Sequence, residues 1–180
     1  FSMLHKHPGQ RFSVNLLPAT LMQKNSAGQI IALFQRYSVS PELITIEVTE
    51  EQAFSYADTS RQNLEALRAF GCAIAIDDFG TGYANYERLK HLQADIIKID
   101  GCFVRDILTD PLDAIMVKSI VEMARAKQMS VVAEYVESEP QKARLLELGV
   151  NYLQGYLIGK PQPLGECQAK KSRALPGSDD

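Results

Sequence analysis

Short apolar runs and amphipathic helical patterns take turns along this chain, and few architectures accept that order. Runs of strand type occur at Arg11–Leu16, Leu43–Val48, Cys72–Asp77, Asp95–Ile99 and Ser130–Ala133, with weaker ones at Asn151–Leu153 and Tyr156–Ile158. Helical spacing of apolar residues fills Ala57–Phe70, which stops at Gly71, as well as Asp113–Gln128 and Pro140–Leu148, which stops before Gly149. Strand and helix in alternation imply right-handed crossovers and a parallel sheet, either open and doubly wound or closed into a barrel.

Two observations favour the barrel. No glycine-rich GxGxxG follows the first strand and no Walker lysine loop is present, so the usual nucleotide sites of open sheets are missing. Polar residues also recur at the carboxyl ends of the runs: Asn15, Glu47, Asp77 with Asp78, Lys98 with Asp100, Glu134 and Gln154. In a TIM-type (β/α)8 barrel those ends converge on one face. Such barrels take about 250 residues, and this chain of 180 begins at Phe1 and enters a strand-like run almost at once. The expectation is an α/β barrel incomplete at the N-terminus, with a domain over 1–164 and a polar, disordered tail over 165–180.

Bulk properties exclude several other classes. Lysine and arginine number 19 against 22 acidic residues for a net charge of −3, without a basic run to follow a phosphate backbone. A polymeric nucleic acid is therefore not an expected partner. No apolar stretch has the length of a membrane span, and Cys72, Cys102 and Cys167 match no zinc spacing. These features fit the cytoplasm, although segments elsewhere in the protein can still tether such a domain to a membrane. His5, His7 and His91 read as surface residues, so any metal is oxygen-ligated and hard, such as magnesium, manganese or calcium.

The run Ala73-Ile-Ala-Ile-Asp-Asp-Phe-Gly-Thr-Gly82 carries the strongest local signal. Adjacent carboxylates repel and are worth keeping where cations neutralise them; the plainer alternative is a strand end that caps the next helix. Glu47 and Asn15 offer further oxygens from neighbouring strands, as a two-metal phosphoryl-transfer site needs. Strand alternation puts Ile44, Ile46 and Val48 on one face and Thr45, Glu47 and Thr49 on the other, and likewise opposes Lys98 and Asp100 to Ile97 and Ile99. Lys98, held by Asp100, is either a cation beside the attacking water or phosphate, or half of a buried ion pair. Glu134 is a metal ligand or a general base, Gln154 a contact for a base or phosphate, and Glu137 a weaker candidate. Glu50 is read as a hydrogen-bond partner that steadies the Asp-Asp loop.

In this order the segments Ser13-Val-Asn15-Leu, Ile44-Thr-Ile-Glu47-Val-Thr-Glu50, Ile76-Asp-Asp-Phe-Gly-Thr-Gly-Tyr83, Ile97-Lys-Ile-Asp100, Val132-Ala-Glu134-Tyr-Val-Glu137 and Gln154-Gly-Tyr156 with Lys160-Pro161 resemble the EAL-domain family of bacterial cyclic di-GMP phosphodiesterases. The resemblance implies a barrel with metal ligands Asn15, Glu47, Asp77 and Asp78. It implies two magnesium or manganese ions and hydrolysis of cyclic di-GMP to linear pGpG, with Lys98 and Glu134 acting on the nucleophilic water. Asp100, Gln154, Glu50 and Glu137 then bind substrate or support the site. It further implies a homodimer through the loop after Asp78 and upstream sensory or GGDEF modules.

Two departures stand out. The family's Glu-Ala-Leu motif and its nearby arginine on the first strand have no counterpart, since Glu65-Ala66-Leu67 falls inside a helix; Tyr135 stands where the family usually has glycine. Leu17 and Gly159 replace two usual serines. These departures leave a chain inactive on its own as the expectation, and a non-catalytic cyclic di-GMP sensor or protein-interaction module as the alternative. A barrel glycosidase is weaker, because the chain has no tryptophan for sugar stacking and sets a lysine among its carboxylates.

Overall fold

The computed structural model describes residues 9–54, 58–81 and 93–163. Six strands form one parallel sheet in chain order: β1 (Phe12–Asn15), β2 (Ile44–Thr49), β3 (Ala73–Phe79), β4 (Ile96–Ile99), β5 (Ser130–Ala133) and β6 (Tyr152–Leu153). Strictly sequential parallel neighbours, with helices in the connections that lie wholly among the described residues, are the arrangement of a (β/α)8-type barrel, here six successive strands of one. The helices are α1 (Pro18–Leu21), α2 (Ser26–Arg36), α3 (Glu50–Ala53), α4 (Asp58–Phe70), α5 (Cys102–Arg105), α6 (Pro111–Ala126) and α7 (Glu139–Glu147).

β-branched residues fit the pleated, doubly covered strands, and the isoleucines of the central ones build the core. Ile44, Ile46, Ile74, Ile76, Ile97 and Ile99 are all buried, together with Leu67 of α4, Val117 and Ile120 of α6 and Leu145 of α7. Among the described residues no helix is long and apolar enough to cross a membrane.

The structure revises two points of the sequence reading. The second weak strand, Tyr156–Ile158, is a turn: the Ile158 and Gly159 N–H groups fold back onto the Gly155 carbonyl. Gly155 lies at φ 155°, and a Cβ there would stand 2.3 Å from the Val136 backbone, so the chain turns where two backbones touch. Helix α2 is an addition to the helices read from the sequence; Asn25 before it sits at φ 60° and makes no side-chain cap bond. Polar ties replace that missing cap. Buried Asn63 of α4 accepts from Ala27 N–H (3.2 Å) and donates to the carbonyls of Leu21 (2.8 Å) and Gln23 (2.9 Å). Asn63→Leu strands three backbone groups, and the urea midpoint is expected to report a loss of about 2–4 kcal/mol at unchanged slope.

After β2 and after β5 the chain leads into well-capped helices. Thr49 and Gln52 form a capping box on α3, and Ser138 and Gln141 form one on α7. The segments holding His5, His7, His91, most of the loop after Asp78 and the 165–180 tail lie outside the described residues.

Candidate active site

The carboxyl ends of β2 to β5 bring the charged residues together, and Asn15 ends the neighbouring β1. Asn15 stands in register with Glu47, and Leu16 N–H donates to the Glu47 carbonyl. Thr49 stands in register with Asp77, and Lys98 with Val132. At the centre is Lys98, only 5% exposed. Its Nζ donates to Asp77 Oδ1 (2.8 Å) and Glu47 Oε2 (3.1 Å), and pairs with Glu134 Oε1 at 2.8 Å.

This corrects one sequence expectation: Lys98 is not held by Asp100. The strand ends at Ile99, and the Asp100 carboxylate turns to accept the Cys102 N–H (2.7 Å) at the start of α5. Burial works to raise the Asp100 pKa, yet the hydrogen bonds from Cys102 and the charge of Arg105 leave it below the usual value.

Neighbouring residues of a regular strand face opposite ways, so Asp77 and Asp78 should not share a site. A bulge resolves this. Ile76 pairs with Ile97 and Phe79 with Ile99, so three steps on β3 span two on β4, and Asp78 takes up the extra residue at φ 54°. Aspartate tolerates that left-handed conformation better than most side chains. One oxygen each from Asp77, Asp78 and Glu134 then lies within 4.8 Å of the others. Beyond the bulge the Gly80 N–H donates to buried Glu50 Oε2 (2.9 Å), and the Thr81 hydroxyl donates to the Asp78 carbonyl (2.8 Å).

The electrostatics follow from crowding. Burial raises the Glu134 pKa, and Asp77 and Asp78 add to it against the opposing pull of Lys98. Asp78 is raised by burial and by the charges of Asp77 and Asp100. Burial works to lower the Lys98 pKa, but its bonds to Asp77 and Glu134 raise it overall, so the ammonium keeps its charge. One ammonium thus faces four carboxylates, and the excess negative charge sits on hard oxygen donors that suit a divalent cation.

Gln154 and Glu137 sit apart from this cluster. With Glu134, Tyr135 and Tyr156 they line a cavity of about 340 Å³ beside it. Arg105, which the sequence reading did not single out, lies over the Tyr135 ring at 4.5 Å. Only the tertiary fold brings those two residues together.

A family model for the EAL domain matches residues 1–161. The chain belongs to the EAL-domain family. It is 64% identical over 167 residues to the probable cyclic di-GMP phosphodiesterase PdeA of Escherichia coli, covering 91% of this chain and 23% of that protein. It is 47% identical over 159 residues to the cyclic di-GMP phosphodiesterase PdeF of the same species, covering 88% of this chain and 21% of that one. The chain therefore spans less than a quarter of the length of these EAL relatives. Among solved structures, the PaMucR phosphodiesterase in complex with c-di-GMP superposes with a TM-score of 0.81 at 39% identity, over 88% of this chain and 64% of that one. Klebsiella pneumoniae BlrP1 in its manganese/cy-diGMP complex gives 0.80 at 33% identity, over 87% and 40%. The EAL barrel of these structures accounts for the sequential parallel order described above.

Proposed function

We propose that this EAL domain hydrolyses one phosphodiester of cyclic di-GMP to give linear pGpG, in a divalent-metal-dependent reaction. The observation that carries the reading is the oxygen cluster around Lys98, built from four strand ends and one bulge. The names of the PdeA and PdeF relatives and the ligand in the PaMucR complex point the same way.

On this reading Asn15, Glu47, Asp77 and Asp78 hold two magnesium or manganese ions. Bound there, the ions supply charge neutralisation at the phosphate and an acidified water. Glu134, whose pKa burial raises, takes the proton from the attacking water. Lys98 orients Glu134 through their 2.8 Å contact and offers positive charge to the phosphate oxygens. Asp100, Gln154 and Glu137 face the substrate, and Glu50 holds the Asp78 loop through Gly80. The same proposal takes 1–164 as the domain, 165–180 as a tail, the loop after Asp78 as a homodimer contact, and a sensory or GGDEF module upstream, in the cytoplasm.

Full-length protein with manganese is expected to convert cyclic di-GMP to pGpG, followed by chromatography. Asp77→Ala should lower turnover by at least about 10³-fold, since it removes a ligand and a Lys98 partner together. Tyr135 at φ 62°, beside Glu134, favours a second reading, a cyclic di-GMP sensor without turnover. Tight nucleotide binding by the parent with no pGpG formed would select it.

A further inference from the structure

The loop that carries Glu134 continues into Tyr135, which the proposed chemistry leaves unused. Its backbone lies at φ 62°, a region that disfavours side chains other than glycine. Such a conformation persists where the surroundings fix it, and here they do. The side chain packs against Gly101, where an added Cβ would stand 2.7 Å from Tyr135 Cβ. Arg105 of α5 covers the ring at 4.5 Å. Gln141 donates to the carbonyls of Val104 and Arg105 while accepting from the Glu137 and Ser138 N–H groups, which ties the loop to α5.

Despite these contacts Tyr135 stays 50% exposed. Its open side and Tyr156 both line the 340 Å³ cavity next to Glu134. Lys160 lies over the Tyr156 ring at 5.3 Å. Two tyrosines, each carrying a cation, therefore border a cleft that starts at a carboxylate of the oxygen cluster. The cleft is at the small end of ligand sites, about 300–1,000 Å³, and has room for one base rather than a whole dinucleotide.

We propose that Tyr135 is a substrate-binding residue of this chain, forming with Tyr156 a subsite that stacks one purine base of the substrate beside Glu134. This rests on the phosphodiesterase reading above and goes beyond it. Aromatic side chains stack bases through their faces whatever the base. Discrimination then falls to Glu137 at the same cavity, whose carboxylate accepts the adjacent N1–H and N2–H donors of guanine. Adenine offers no such pair.

The test uses full-length protein, cyclic di-GMP and cyclic di-AMP, and the variants Tyr135→Phe and Tyr135→Gly. Tyr135→Gly relieves the backbone and is expected to melt at or above the parent temperature. Its KM for cyclic di-GMP should rise on the order of tenfold, with kcat within about twofold. Tyr135→Phe keeps the ring and should match the parent, which should prefer the guanine ligand. If the parent binds without turnover, the same shift is read in Kd. An unchanged KM in folded Tyr135→Gly, or a fall in kcat alone, overturns the subsite and leaves the proposed function standing. A parent that neither binds nor cleaves a cyclic dinucleotide overturns both.

Discussion

Replacing Lys98 with methionine is expected to cost the metal-free protein about 3–5 kcal/mol of stability and to abolish turnover, while added manganese restores much of the lost stability. The ammonium contacts Glu47, Asp77 and Glu134 at 3.1, 2.8 and 2.8 Å and is 5% exposed, so its removal leaves three poorly solvated carboxylates facing one another. Methionine keeps the unbranched stem and the packing, which isolates the charge as the cause. Lys98 is also the group that lowers proton affinity at Glu134 and at Asp78. Without it both carboxyl pKa values move further up. A carboxyl with a raised folded pKa contributes stability that is present below its unfolded value and lost as pH rises through the folded one. The deficit of Lys98→Met is therefore expected to shrink as pH falls from about 7 to about 5. A divalent ion supplies the missing positive charge on the same oxygens, so manganese should raise the melting temperature of Lys98→Met more than that of the parent. Equal shifts in the two proteins would show that the metal does not stand in for the lost ammonium, and no shift in either would show that the cluster does not gather a cation.

The parts of this fold that were legible in the sequence are those governed by local periodicity. Ile44, Ile46 and Val48 announce β2 through their spacing of two, and the run Ser130–Ala133 coincides with β5, because strands buried on both sides are written in β-branched side chains. The helices that stop at Gly71 and Gly149 were readable for the same reason. What was not legible depends on contacts made at a distance. Helix α2 is anchored by Asn63, 36 residues beyond Ala27, rather than by a cap of its own. The turn at Tyr156–Ile158 follows from the approach of Gly155 to Val136. In the site, the residue types were visible but their partners were not. Strand alternation alone pairs Lys98 with Asp100 and separates Asp77 from Asp78. The end of β4 at Ile99 and the bulge at Asp78 reverse both outcomes. The Tyr135–Arg105 stack joins the loop after β5 to α5 and leaves no periodic trace in the sequence.

Glu134→Gln is expected to reduce kcat by about 10²–10⁴-fold while nucleotide affinity stays within a few-fold of the parent. The glutamine is isosteric and its carbonyl can still accept from Lys98 Nζ, which now sits 2.8 Å from the carboxylate, so the local geometry has a reason to survive. What is lost is the ability to take a proton. The pH profile separates this role from that of a metal ligand, which the 4.8 Å grouping with Asp77 and Asp78 also permits. Burial raises the Glu134 pKa above its ordinary 4.5, with Asp77 and Asp78 adding to it and Lys98 opposing. A base acts when deprotonated, so kcat in the parent should climb with pH through a limb displaced above the ordinary glutamate value, and Glu134→Gln should lose that limb. A ligand role predicts something else: weaker manganese binding in Glu134→Gln, with turnover recovered at high metal concentration. Titration calorimetry with manganese, set beside the kcat profile of the same variant, decides between them, and full turnover at saturating metal would remove Glu134 from the proton transfer.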